Sequence, residues 1–118
     1  MSKDRKIDYI ELPGDNLDAL ETFYTAVFGW TFTDYGPDYR AFNDGKTDGG
    51  FYKSTLQSKT ETGAALVVLY ADDLEASSER VQANGGEICR AIFSFPGGRR
   101  FHFLDPHGNE LAVWTAAE

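Results

Sequence analysis

The sequence predicts an α+β fold made of two βαβββ modules in one chain. A segment at positions 16–29, "NLDALETFYTAVFG", matches a segment at 73–86, "DLEASSERVQANGG", at a constant offset of 57 positions. Both segments have the apolar periodicity of an amphipathic helix, and each follows one apolar strand and precedes three more. A repeated order of strand, helix and three strands indicates that one supersecondary unit occurs twice.

The first module covers about residues 6–56. Strands are predicted at 6–13, 30–35, 39–43 and 49–54. Between the first two strands, Leu17, Leu20 and Val27 recur at helical spacing, and Gly29 marks the end of that helix. Glycine, proline and aspartate residues separate the strands that follow, as is typical of turns.

The second module covers about residues 63–116 and repeats this order. Strands are predicted at 63–71, 86–93, 99–104 and 110–115. Asp72 is predicted to cap the helix, with Glu75 reaching back in a variant of the capping box. Because neither module can bury its own sheet face alone, we expect residues 1–118 to form a single domain.

Composition places the chain among acidic globular proteins. Eleven basic and nineteen acidic residues give a net charge of −8, which disfavours nucleic acid as a partner and favours a cationic small ligand. No apolar run is long enough to span a bilayer, and the first residues carry no secretory signal, so we expect no membrane association and a cytoplasmic location. Cys89 is the only cysteine, which excludes an internal disulfide, and its place in a strand predicts a buried thiol.

Three motifs in order resemble the vicinal oxygen chelate superfamily, which includes glyoxalase I, extradiol dioxygenases and bleomycin-resistance proteins. They are "ELPGDNLDALETFYTAVFGW" (11–30), "ADDLEASSERVQANGGEI" (71–88) and "FLDPHGNELAVW" (103–114). The resemblance covers nearly the whole chain and implies curved mixed sheets around a cup, with a ligand or metal on the concave face. It also implies a homodimer. It says little about the reaction, because one fold hosts many chemistries.

The positions that hold the metal in metal-dependent relatives carry no metal ligands in this sequence. By resemblance, four His, Gln or Glu ligands come from the leading and last strand of each module. Three of these positions fall on Tyr9, Leu66 and Ala112, and the fourth falls within 49–55, where no carboxylate, imidazole or glutamine occurs. Divalent metals need oxygen and nitrogen ligands, so we predict no metal and no other cofactor.

Strand alternation, combined with the resemblance, predicts the side chains that line the cup. The predicted ligand-binding residues are Tyr9, Glu11, Tyr52, Leu66, Val68, Tyr70, His102, Glu110, Ala112 and Trp114. This set is apolar and aromatic with a few acids. Apolar walls that supply affinity and a few polar groups that set orientation are typical of a small-molecule pocket.

Glu11 is the one predicted catalytic residue. A carboxylate on an apolar strand face can act as a general base or hold a cationic ligand. The alternative is an acid at a strand end that reaches solvent or pairs with Arg40, Arg99 or Arg100.

The two histidines and the neighbouring arginines leave several interpretations open. His102 alternates with two phenylalanines, so either the imidazole or the two phenyl rings enter the cup. The size of those rings favours a buried or edge histidine with a structural hydrogen bond. His107 lies in the "DPHG" turn and is predicted to be exposed. Either Arg99 or Arg100 holds a carboxylate in the cup, or both end in solvent.

Two functions of different classes remain. The first is a metal-independent protein that binds a small molecule in an aromatic, acidic cup, similar to the antibiotic-sequestering members of the family. The second is a glyoxalase-like lyase, isomerase or dioxygenase that uses either an atypical metal set (Glu11, His102, Glu110) or Glu11 alone as the base. A protein-interaction module would instead require a cup filled by its own side chains. The sequence therefore leaves open whether the protein is an enzyme.

Overall fold

The computed structural model describes residues 2–117, which divide into two compact units between Leu56 and Gln57. Each unit contains one βαβββ module, so the predicted α+β class and the internal repeat are confirmed. None of the helices in this part of the chain is long and apolar enough to cross a membrane.

The first unit contains one helix and a four-stranded sheet. Its elements are β1 (Tyr9–Gly14), α1 (Leu17–Phe28), β2 (Thr31–Asp34), β3 (Tyr39–Asn43) and β4 (Asp48–Lys53). The strand order is β1-β4-β3-β2, with β1 parallel to β4 and the other neighbours antiparallel. Asn16 caps α1 by accepting a hydrogen bond from the Ala19 amide at 3.0 Å. Gly29 ends the helix in the left-handed conformation that glycine adopts without steric cost.

One face of this sheet is closed by α1. Leu12, Phe42 and Phe51 are buried together with the apolar side of the helix. Tyr24 of α1 stacks on Trp30 with ring centroids 4.5 Å apart, and Trp30 stacks on Phe42 at the same distance. The opposite side of the sheet carries other side chains, and we term it the tyrosine face. Its members are Tyr9, Glu11, Tyr39, Ala41, Asp48 and Tyr52.

The second unit repeats the arrangement after a single 3-10 turn (Thr60–Thr62). Its elements are β5 (Val67–Tyr70), α2 (Leu74–Ala83), β6 (Glu87–Phe95), β7 (Gly98–Leu104) and β8 (Glu110–Ala116). The strand order is β5-β8-β7-β6, again with one parallel pair, β5 and β8. The β6–β7 pairing shifts register twice between Ile88 and Phe93.

One side of the second sheet is likewise closed by its helix. Fully buried side chains from α2, β7 and β8 form this core, namely Leu74, Val81, Phe101, Phe103, Leu111 and Val113. The other side of the sheet is termed the arginine face, and its members are Val68, Tyr70, Arg90, Phe93, Arg100, His102, Glu110, Ala112 and Trp114.

Three local predictions are corrected. The cap of α2 is Asp73 rather than Asp72, because the residue directly before the first helical turn reaches the Ala76 amide, at 3.0 Å. Leu66 precedes β5, which is shorter than predicted. The prediction of a buried thiol is wrong, since Cys89 is exposed at a register shift of the edge strand β6.

Candidate functional site

Gly50 gives the tyrosine face its arrangement. In β4, Gly50 lies between Glu11 of β1 and Ala41 of β3. A Cβ atom at this position would overlap the ring of Tyr39. The absence of a side chain at position 50 therefore lets the Tyr39 ring lie over β4 and reach the side chains of β1.

A chain of hydrogen bonds joins three side chains on this face. Tyr39 donates its hydroxyl proton to Glu11 Oε2 at 2.9 Å, and the Tyr9 hydroxyl lies 2.6 Å from the Tyr39 hydroxyl. Because Tyr39 uses its proton on Glu11, Tyr9 is the donor to Tyr39. Desolvation, followed by the hydrogen bonds to Tyr9 and Glu11, raises the pKa of Tyr39 far above its usual value. Tyr39 is thus a neutral phenol that orients an exposed carboxylate.

A shallow depression of about 360 Å³ adjoins this chain. Tyr9, Ala41 and Asp48 contribute to its lining. The Asp48 carboxylate accepts a hydrogen bond from Asn43 Nδ2 at 2.8 Å. The tyrosine face therefore combines a concave surface, phenol rings and two carboxylates.

The turn between β7 and β8 fixes the polar centre of the arginine face. The buried Asp105 carboxylate accepts hydrogen bonds from the amides of His107, Gly108 and Asn109. His107 is accordingly a turn residue, as predicted, but it is half-buried rather than exposed. This bonded turn sets the register that places Glu110, the first residue of β8, diagonally across from His102.

Glu110 and His102 form a bonded pair. His102 Nδ1 lies 2.7 Å from Glu110 Oε2, while Glu110 Oε1 accepts hydrogen bonds from the Thr60 amide at 3.0 Å and from Thr60 Oγ1 at 2.7 Å. Burial raises the pKa of Glu110, but the hydrogen bonds from His102 and Thr60 outweigh it and hold that pKa below its usual value. An ionised carboxylate only accepts, so Nδ1 of His102 carries the proton.

The other ring nitrogen of His102 is left unused. His102 Nε2 is buried and has no hydrogen-bond partner within residues 2–117. Its ring lies 6.1 Å from the ring of Phe93. A carboxylate on one imidazole nitrogen and a free second nitrogen is an arrangement that suits hydrogen bonding to a ligand or proton transfer.

Arg100 lies two residues before His102 on the same side of β7. Its guanidinium carbon is 5.3 Å from the ring centroid of Phe93 and 5.6 Å from that of Phe95. Its Nε atom is buried and unbonded, and the side chain forms no ion pair in the described part of the chain. By contrast Arg99, which points to the helix side, pairs with Glu75 of α2.

The structure decides between the alternatives for His102. Phe101 and Phe103 lie in the core beneath α2, and His102 lies on the opposite side of the sheet, in register with Ala112. Four more of the predicted ligand-binding residues, Val68, Tyr70, Glu110 and Trp114, share that side. His102 also makes the structural hydrogen bond that was expected, to Glu110.

Within residues 2–56, the ion pair with Arg40 that offered another explanation for Glu11 is not present. Arg40 is buried on the helix side of the first sheet and bonds to Asp18 and Glu21 at 2.9 and 2.6 Å. Glu11 instead accepts a hydrogen bond from Tyr39 and remains exposed.

A sequence profile of the Glyoxalase/Bleomycin resistance protein/Dioxygenase superfamily matches residues 6–113. The chain belongs to this superfamily. The resemblance to vicinal oxygen chelate proteins, first seen in three motifs, is confirmed by this match.

Several known proteins resemble the chain over most of its length. It is 28% identical over 124 residues to the anthracycline biosynthesis protein DnrV of Streptomyces peucetius, covering 90% of this chain and 45% of DnrV, so it spans about half of that relative. It is 29% identical over 121 residues to a glyoxylase-like domain-containing protein of Didymella fabae, covering 93% of both. A glyoxalase/bleomycin resistance protein/dioxygenase family enzyme from Burkholderia phytofirmans PsJN shares its fold with a TM-score of 0.77 at 20% identity, over 94% of this chain and 100% of that one.

The metal positions of the superfamily do not suit a metal ion in this chain. The Tyr9 hydroxyl is hydrogen-bonded to the Tyr39 hydroxyl. Leu66 is apolar, and Ala112, which lies between His102 and Val68 in the sheet register, has only a methyl group. Nowhere in residues 2–117 do three or more His, Cys, Asp or Glu side chains come together as a ligand set. The donor set does not fit a metal centre built by one chain.

Sequence reasoning missed Tyr39 and Phe93. Tyr39 becomes a site residue only through the register of β3 with β4 and the missing side chain at Gly50. The dipeptide Gly49-Gly50 inside a strand was the available signal, because glycine in a strand often marks a close approach of another group. Phe93 follows a register shift in β6, which simple alternation does not anticipate.

Proposed function

We propose that this superfamily member binds a small organic molecule on its helix-free sheet faces, without a metal centre. The observation that carries the proposal is the exposure of large side chains on these faces. Tyr9 is 45% exposed, Tyr52 38%, Val68 43% and Tyr70 54%. Exposed apolar surface beside convergent polar groups is typical of a binding site.

The polar groups beside these side chains are held in fixed directions. The hydrogen bond from Tyr39 orients Glu11, and the bond to Glu110 orients His102. Fixed polar groups add specificity to the affinity that apolar contacts supply. The description of DnrV as an anthracycline biosynthesis protein is compatible with a small organic ligand.

A thermal-shift screen tests the proposal. A compound that binds only the folded protein raises Tm, and at a concentration of 100 Kd it contributes about 2.7 kcal/mol. We expect an aromatic compound to raise Tm, and Tyr9→Ala or Tyr70→Ala to reduce that increase. Leu56→Ala is the matched control, because Leu56 is exposed but lies outside both faces. A panel of aromatic cations, anions and neutral compounds without any effect on Tm contradicts the proposal.

A second candidate is a metal-independent lyase or isomerase, favoured by the buried, unbonded Nε2 of His102. In this reaction His102, positioned by Glu110, or the Glu11 carboxylate takes a proton from the substrate. Turnover that is lost in His102→Gln or Glu11→Gln while the fold is retained supports the enzyme. Stoichiometric Ni, Zn, Mn or Fe in the purified protein contradicts both metal-independent functions.

The homodimer stays a prediction, which sedimentation analysis checks.

A further inference from the structure

We propose that the arginine face binds the carboxylate of an aromatic acid between Arg100 and His102. This inference rests on the proposed function and names a ligand class for the second unit. It differs from the cationic ligand that the net charge of −8 favours. The argument depends on two polar groups that have no partner in the protein and on the rings around them.

Arg100 carries a charge that no acid balances locally. It is half-buried against Phe93 and Phe95, its Nε atom is shielded from solvent, and it forms no ion pair within residues 2–117. Arg40 and Arg99 both pair with acids of the helix in their own unit. Burying part of an uncompensated charge costs free energy, and an anionic ligand would remove that cost. A planar guanidinium matches a carboxylate with two parallel hydrogen bonds.

His102 supplies the second unpartnered group. Its side chain is 6% exposed, Nδ1 is held by Glu110, and Nε2 has no partner among the described residues. Arg100 and His102 are two residues apart on one strand, so their Cα atoms are about 6.6 Å apart. A carboxylate that pairs with the Arg100 guanidinium can also accept a hydrogen bond from His102 when Nε2, like Nδ1, carries a proton, and Glu110 then balances the imidazolium charge.

The surrounding rings favour an aromatic acid over an inorganic anion. Phe93 contacts both Arg100 and His102. Trp114, opposite Arg100 in the sheet, lies 6.2 Å from Phe95 and 5.1 Å from Tyr70 between ring centroids. These rings extend from the cationic pair and offer surfaces on which a ligand ring can stack.

The inference is tested by titrating the ¹⁵N-labelled full chain and monitoring its amide resonances by NMR. Three probes of similar size are used, namely benzoate, benzyl alcohol and benzylammonium. We expect benzoate to shift the amide resonances of β6, β7 and β8. Its affinity for this face should be about tenfold higher than that of benzyl alcohol, a difference that corresponds to one hydrogen-bonded charge. Arg100→Gln is expected to abolish this preference. Arg99→Gln, on the neighbouring residue but the other side of β7, is expected to leave it unchanged. Arg100→Lys keeps the charge without the planar guanidinium and is expected to lower the affinity for benzoate several-fold. This variant replaces Arg100→Gln in the test if the glutamine variant does not fold.

The outcomes separate this inference from the function on which it rests. Benzoate that binds no better than benzyl alcohol, or a preference that survives in both Arg100 variants, overturns the inference. If only benzyl alcohol or benzylammonium binds, the carboxylate site is wrong and the small-molecule binding function stands. If none of the three probes shifts any amide, both are contradicted.

Discussion

Glu110 is a mostly buried carboxylate whose three hydrogen bonds govern its titration. Its pKa is lower in the folded protein than in the unfolded chain, so its stabilising effect is fully present above the unfolded value and is lost as pH falls through the folded value. Glu110→Gln is expected to reduce the free energy of unfolding by about 1–3 kcal/mol at neutral pH. The difference should shrink as pH falls through the folded value, because wild-type Glu110 is then protonated.

Urea denaturation at neutral and acidic pH measures this effect. Glu61→Gln is the control, because Glu61 is an exposed acid in the 3-10 turn of the same unit. A loss of stability in the Glu110 variant that is equal at both pH values would contradict the assignment of an ionised, hydrogen-bonded carboxylate.

Tyr39 is expected to titrate far above the ordinary tyrosine value. Its raised pKa means that its hydrogen bonds stabilise the folded protein below about pH 10, the unfolded value, and that this contribution disappears as pH rises through the higher folded value. Tyr39→Phe should lower the free energy of unfolding by about 0.5–1.5 kcal/mol at neutral pH. Ultraviolet absorbance during an alkaline titration should show that the variant has lost the tyrosine that ionises last. Tyr35→Phe is the control, and it should retain the tyrosine that ionises last.

At the scale of the strands, the position of Tyr39 depends on Gly50 in β4. Gly50→Ala places a Cβ atom where the Tyr39 ring lies, so it is expected to displace the ring and cost about 1–3 kcal/mol of stability. In a Tyr39→Ala background that clash is absent, and the same glycine substitution should cost much less. A double-mutant cycle measured by thermal unfolding gives the coupling, and additive effects would show that the ring does not depend on the glycine.

The elements were largely predictable because each has a strong local signal. Helical spacing located α1, and alternation separated Leu12, which is buried, from Glu11, which is exposed. Errors occurred where a non-local or single-residue contact decides the outcome, as in the cap at Asp73 and the start of β5 after Leu66.

The candidate site was less predictable because it is made by pairing between strands. Alternation could place His102 on either side of β7, and only the core packing of the adjacent phenylalanines fixes the imidazole on the helix-free side. Its bond to Glu110 requires the register set by the turn at Asp105. The sequence contains the residues of the pair, but their distance depends on a hairpin geometry that composition and spacing do not specify.

Over the whole molecule, charges are distributed differently on the two helix-free faces. The net charge of −8 describes the chain as a whole, and the tyrosine face shares its sign through Glu11 and Asp48. The arginine face carries Arg90 and Arg100, and of its two carboxylates Glu110 is occupied by His102 and Thr60, while Glu87 lies at the far end of β6 in register with Leu104. Net charge therefore predicts the preferred ligand of one face and not of the other, since short-range contacts dominate over a screened long-range field.

Because the tyrosine face is acidic, a cationic probe is expected to bind there and not on the arginine face. Benzylammonium should shift the amides of β1, β3 and β4, where Glu11 and the tyrosine rings offer a carboxylate and aromatic surfaces. Glu11→Gln is expected to weaken that binding about two- to fivefold, as loss of one exposed charge contact does. Asp38→Asn removes the same charge from the first unit outside the tyrosine face and should leave the affinity nearly unchanged. Equal weakening in the two variants would mean that the overall negative field, and not the Tyr39-oriented carboxylate, attracts the cation.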